Sequence, residues 1–192
     1  MSDACEKQSP LVQIDFGEPQ GGAPLIEEKS FLGFLNLRGR SSDPGFATAI
    51  LKVLGCEPPT EPNTLRESGD YRVYWLGPDE WLIVTPPGQV DGLQGRLQEA
   101  LTGVFSSVVD NSSGLTMLRI SGDNAADLLA RDCPLDLHPR AFKPGQCAQT
   151  RLAKTVMTIS ALQDRHGFEI IVRRSFADYI GHWLKDGCTE FS

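Results

Sequence analysis

The chain has 192 residues, 40% of them apolar, with a net charge of −7 and a pI near 4.9. That length buries one sizeable core or two small ones, and the acidic balance argues against nucleic acid or an anionic membrane surface as main partner, since both attract basic faces. No apolar run is long enough to span a bilayer, and Met1 to Pro10 lacks the apolar centre of a secretory signal, so a cytoplasmic protein is expected.

Residues 1–30 are rich in Ser, Pro, Gly and Glu, with Gly21-Gly22-Ala23-Pro24 as a flexible joint and only Leu11 to Phe16 alternating like a short strand. Such a segment buries too little to fold alone, and it reads either as a disordered tail or as an arm that orders against a partner. Phe31 to Arg38 is predicted as a strand with Phe31, Leu35 and Leu37 on its buried face, closed by Gly39. Asp43 before Pro44 predicts a helix start, because an aspartate N-cap accepts a backbone N–H and proline at the first position gives none up. Phe46, Ala49, Ile50, Val53 and Leu54 then share one stripe, and Gly55 ends the helix. Glu57 to Asp70, with three prolines, is predicted as a loop.

Tyr71 to Leu76 and Trp81 to Thr85 are predicted strands of a hairpin, turned by Gly77-Pro78-Asp79-Glu80. Trp75 and Trp81 flank that turn, where they either stack on a planar ligand or serve core and interface packing, the commoner use. Val90, Leu93, Leu97, Ala100 and Leu101 predict a second helix ending at Gly103, and Phe105 to Val109 returns as a strand. Leu115 to Ser121 begins a second series, with a helix at Ala125 to Leu129 that Cys133-Pro134 stops. Strands follow at 146–152, 155–161 and 168–173. A last helix is predicted from Ser175, with Asp178 completing a capping box and Phe176, Tyr179, Ile180, Trp183 and Leu184 as its apolar face.

This order predicts an α+β fold of two ferredoxin-like halves with mostly antiparallel sheets and helices packed on one face. The division is a flexible N-terminal arm over 1–30, a first α+β subdomain over 31–110 and a second over 111–192. Sites of chemistry are sparse. There is no G-x-G-x-x-G after a strand, no Walker lysine, no G-x-S-x-G elbow and no H-E-x-x-H. The five cysteines, Cys5, Cys56, Cys133, Cys147 and Cys188, are scattered and expected as free thiols. His138, His166 and His182 form no ligand-spaced pair, so no metal is expected on this chain. Asp110-Asn111-Ser112-Ser113-Gly114 reads either as a carboxylate site or, more commonly, as a loop whose side chains bond their own backbone. Arg173-Arg174 is a basic spot, either a solvated strand end or an anchor for a partner's carboxylate, which the planar guanidinium meets with two bonds at once.

Several runs resemble the gamma subunit of heterotetrameric sarcosine oxidase. They are Trp75 to Ile83, Val108-Val109-Asp110 with Leu118 to Gly122, Cys133 to Phe142, Pro144 to Thr150, and Phe168-Glu169 with Arg173 to Tyr179. More distantly, Val109 to Gln149 resembles part of the folate-binding domain of the aminomethyltransferase T-protein. The carboxylates that serve folate chemistry there have no counterpart in Thr150 to Ser160, which argues against folate turnover on this chain alone. The resemblance implies a complex that demethylates sarcosine to glycine with release of hydrogen peroxide, yielding methylenetetrahydrofolate when tetrahydrofolate is present. It implies FAD, a covalently held FMN, NAD and zinc on the alpha, beta and delta subunits, and no cofactor or catalytic residue on this chain. Partner contacts are then expected at Trp75, Trp81, His138, Arg140, Arg173 and Arg174, exposed aromatic and arginine side chains being frequent interface anchors. The alternative is a standalone folate-binding one-carbon protein.

Overall fold

In the computed structural model, which describes residues 7–164 and 166–191, the strands sort into two five-stranded antiparallel sheets that meet along one apolar seam. The chain runs β1 (Leu25–Glu28), β2 (Gly33–Gly39), α1 (Pro44–Leu54), β3 (Leu65–Ser68), β4 (Tyr71–Gly77), β5 (Glu80–Thr85), α2 (Val90–Ala100) and β6 (Ser106–Asp110). It continues with β7 (Leu115–Ser121), α3 (Ala125–Ala130), β8 (Cys147–Leu152), β9 (Thr155–Ala161), β10 (Gly167–Arg173) and α4 (Arg174–Cys188).

One sheet has the order β3-β4-β5-β2-β6, and its helices α1 and α2 fall between strands as a ferredoxin-like unit requires. The first helix forms as its sequence dictates. Asp43 accepts the Gly45 N–H at 2.8 Å, Pro44 opens the first turn, and Gly55 ends it with φ 76°, a left-handed conformation that glycine adopts without a Cβ penalty. Phe46, Ile50, Leu93 and Leu97 cover Leu35, Leu37, Trp81 and Ile83 on one face of this sheet.

The other sheet has the order β1-β7-β10-β9-β8, with α3 and α4 over Leu118, Ile120, Ile159, Ile170 and Val172. Its fourth ferredoxin-like position is filled by β1, which pairs antiparallel with β7 from Leu25↔Ser121 to Glu28↔Leu118. The arm expected over 1–30 is corrected here for the described residues. Leu25–Glu28 is a sheet strand, and Leu11, Ile14 and Ile26 are buried in the core under α4. The strand expected at Leu11 to Phe16 is instead a turn, with the Ile14 N–H on Leu11 O at 2.9 Å. Met1 to Glu6, and with them Cys5, lie outside the described residues.

Three more expectations are corrected. The loop over 57–70 contains β3, which pairs with β4 across Leu65↔Tyr74 to Ser68↔Tyr71. Phe31, expected inside, is 51% exposed, because the strand starts only at Gly33 and Phe31 turns with φ 62°. The last helix begins at Arg174 without a side-chain cap, so the Ser175–Asp178 capping box does not form. Its buried stripe is Ala177, Ile180, Gly181, Leu184 and Gly187, while Phe176 and Tyr179 stand 39% and 36% exposed. Small residues set that rotation: a Cβ at Gly181 would lie 2.5 Å from Ile14 Cδ1 and 2.8 Å from Leu11 Cδ2, and one at Gly187 2.4 Å from Leu128 Cδ1.

The close seat of residues 11–14 on α4 therefore depends on Gly181. Gly181→Leu is expected to lower unfolding free energy by about 1–3 kcal/mol, the usual cost of overpacking, measured by urea titration. An unchanged midpoint would show that the N-terminal segment does not pack there.

Candidate functional site

The seam between the sheets is built by alternation. In a strand successive side chains point to opposite faces, so while Leu35, Leu37, Trp81 and Ile83 meet helices, Phe34, Tyr74, Leu82 and Val84 meet Met117, Cys147 and Ile171 of the facing sheet. The seam is apolar in the middle and polar at both ends.

At one end three charges converge. Glu169 of β10, 4% exposed, receives Arg119 of β7 at 2.9 Å and, across the seam, Arg72 of β4. Beside them Tyr74 hydroxyl and Ser160 hydroxyl share a hydrogen bond at 3.3 Å. Burial pushes the Tyr74 phenol up to about 12 from 10.0, and burial likewise pushes the Cys147 thiol up to about 11 from 9.0. The two sheets are also joined edge to edge: the Leu65 N–H donates to Gly145 O and the Cys147 N–H to Asn63 O, both at 2.9 Å.

At the other end the sheets diverge into a cleft of about 500 Å³, lined in part by Asn36, Leu82, Gln149, Thr158, Ile171 and Arg173. Its carboxylate, Glu80, accepts from Arg38 at 2.6 Å and from Asn36 at 2.7 Å. Those bonds hold the Glu80 carboxyl below the usual carboxylate range, so it stays ionised near neutrality and is poorly placed to act as a general acid. Among the described residues no group of three or more His, Cys, Asp or Glu side chains is arranged to hold a metal ion. What the cleft offers is amides, hydroxyls, an apolar floor and the cation of Arg173, a set suited to recognition.

Of the residues singled out from sequence, Trp75 and Trp81 are cross-strand partners in β4 and β5, and the others are dispersed. Trp81 is corrected as a partner contact: it is fully buried, its ring 5.4 Å from that of Phe46 and its Nε1–H donating to Pro59 O at 2.7 Å. Its partners are within this chain because the residue lies on the helix-facing side of β5. Trp75 is half-buried on the same side. His138 and Arg140 are exposed in the loop after α3. Arg173 lines the cleft, whereas Arg174 points to the N-terminal segment and donates to Gln8 O at 2.6 Å. Asp110 ends β6, and its carboxylate accepts the Ser112 N–H at 2.8 Å, the side-chain-to-backbone bonding that was one of the two readings of its run. The Arg72–Glu169–Arg119 cluster was not anticipated, although a carboxylate inside Phe168-Glu169-Ile170-Ile171-Val172 is a signal that such a strand buries a charge with its partners.

A family model described as the sarcosine oxidase, gamma subunit family, matches residues 38–190. The chain belongs to that family. Within the gamma subunit family, the sarcosine oxidase subunit gamma of an Arthrobacter species is 32% identical over 190 residues, covering 97% of this chain and 92% of the relative. A chain of the heterotetrameric sarcosine oxidase from Corynebacterium sp. U-96, in complex with pyrrole 2-carboxylate, superposes with TM-score 0.87 at 29% identity, covering 97% of this chain and 96% of that one. The glycine cleavage system aminomethyltransferase T from Bartonella henselae shares the fold, with TM-score 0.67 at 15% identity over 85% of this chain and 46% of that one. Among the described residues of this gamma-family chain, no helix is long and apolar enough to cross a membrane.

Two outcomes test the seam. Glu169→Leu leaves two arginines without their carboxylate and is expected to cost about 3 kcal/mol, the low end for breaking a buried pair, because Arg119 can turn to water. Urea titration measures it, and a neutral substitution would show that the cluster does not hold the sheets. Tyr74 and Cys147 keep their protons in the folded chain to higher pH than in the unfolded one. Their contribution is therefore complete below pH about 9 and is lost as pH rises toward 12. Tyr74→Phe is expected to flatten the decline above pH about 10 in a pH series of melts; a decline as steep as that of the parent chain would contradict this assignment.

Proposed function

We propose that this chain acts in the cytoplasm as the gamma subunit of a heterotetrameric sarcosine oxidase, binding the other subunits and supplying no catalytic group to sarcosine oxidation. The single observation carrying this reading is the near full-length superposition on a chain of such a complex, TM-score 0.87 over 97% of this chain. The interior agrees with it. The seam is filled by side chains of both sheets, and the cleft carboxylate is already paired. In this reading FAD, FMN, NAD and zinc are held by the alpha, beta and delta subunits, which demethylate sarcosine to glycine with hydrogen peroxide as second product. When tetrahydrofolate is present, methylenetetrahydrofolate is formed.

The test is to produce the other three subunits with and without this chain. Without it, assembly and sarcosine oxidation are expected to fall together, and adding the purified chain back is expected to restore both. A complex that forms and turns over sarcosine at full rate in its absence would overturn the proposal. Saturable binding of tetrahydrofolate by the isolated chain would instead favour a one-carbon protein.

A further inference from the structure

We infer that β6 is an open sheet edge that accepts an extended strand from another subunit. This deepens the gamma-subunit reading and rests on it. The Asn111 N–H donates to Phe34 O at 2.8 Å, one step beyond the Asp110↔Leu35 pair. Bonded and non-bonded pairs alternate in an antiparallel ladder, so Val109↔Asn36 and Ser107↔Arg38 are the bonded pairs. Ser106, Val108 and Asp110 then aim their N–H and C=O groups away from β2. Gln94 of α2 meets the Val108 carbonyl at 3.2 Å with its side-chain amide. Among the described residues no group accepts the Val108 N–H.

The other three edges are guarded. Natural sheets discourage strand addition with charged residues on their edges, and β1 carries Glu27 and Glu28 and β3 carries Arg66 and Glu67, while β8, like β6, carries one charge, Arg151. β3 and β8 also meet each other at the Thr64↔Gln146 bridge. In β6 the run Ser106-Ser107-Val108-Val109 has no charge before Asp110. On its open face Val109 is 47% exposed, and Phe105, in line with it, is 80% exposed.

The occupant follows from the chemistry of this edge. Outward backbone groups in a row, of which the Val108 carbonyl is met by Gln94, are met by another backbone in extended form, which is strand addition. Phe105 and Val109 select apolar side chains on the incoming strand. The Arg40 guanidinium lies 5.5 Å over the Phe105 ring, and none of the ion pairs among the described residues uses it, so it selects a carboxylate beside the apolar residues. The β6 segment itself runs from the apolar Phe105 and Val109 to Asp110, but a second copy fits less well, because two chains of net charge −7 repel.

The test uses the complex rebuilt from purified subunits. Val109→Lys and Phe105→Ser are each expected to weaken association of this chain by on the order of tenfold, as for loss of an interface anchor. Glu67→Lys, on the guarded edge β3, is expected to associate like the parent chain. Amide hydrogen exchange of the unaltered chain gives a second readout that no misfolded variant can obscure: the Ser106 and Val108 amides are expected to slow on assembly. Unchanged association of both β6 variants, or unchanged exchange at those amides, overturns the edge while leaving subunit membership intact. Failure of the unaltered chain to join the other subunits overturns both. A dimer of the isolated chain abolished by Val109→Lys would overturn the choice of occupant.

Discussion

The contact on which the rest depends is the face-to-face seam of the two sheets. Each sheet already buries one face under helices, and burial of the second face against the other sheet is what lets Phe34, Leu82, Val84, Met117 and Ile171 leave water. A strand buried on both faces cannot show a clean polar alternation, and β10, buried at six successive positions from Gly167 to Val172, shows none. The seam also sets register. Slipping β10 by one residue would turn Glu169 toward the helices, away from Arg72 and Arg119, and expose Ile170 to the charged end. The ion cluster is thus better understood as a locator for the two sheets than as a large source of stability, since desolvation offsets much of what buried ions gain from each other.

The two sheets are organised alike. Read outward from β3 and β8, each presents an added edge strand and then four strands in ferredoxin-like order, with β6 ending one and β1 ending the other. The difference is where the last strand comes from. β6 follows its own helix in sequence, whereas β1 comes from the N-terminal segment and crosses to the sheet formed by the C-terminal half. Residues 11–14 then settle on α4, and the Gly22 N–H reaches Phe191 O at 2.8 Å. Residues 11–22 are thus held against α4 and the turn that follows it.

This construction shapes what the protein can do. The side chains of the seam join the sheets, and the open ground is peripheral: the cleft at Arg173, the exposed aromatics Phe176 and Tyr179, and the open edge at β6. Surfaces of that kind are suited to recognition of other chains. The likeness to an aminomethyltransferase at 15% identity is a likeness of fold, and fold persists where function has moved.

Sequence alone determined the local elements whose signals are short in range: the Asp43-Pro44 start and Gly55 stop of α1, the Gly77 to Glu80 turn, the halt of α3 before Cys133-Pro134, and the α+β class. The family resemblance was also legible, and the family model matches residues 38–190. Tertiary structure decided the rest. Which face of α4 is buried depended on Ala177, Gly181 and Gly187, residues too small to register as apolar but small enough to admit Leu11, Ile14 and Leu128. Whether Leu25–Glu28 was an arm or a strand depended on an open position beside β7, created by residues nearly a hundred places away. Glu169, Arg72 and Arg119 became one cluster only when two sheets were stacked, because pairing across a seam leaves no spacing in the chain by which it could be read.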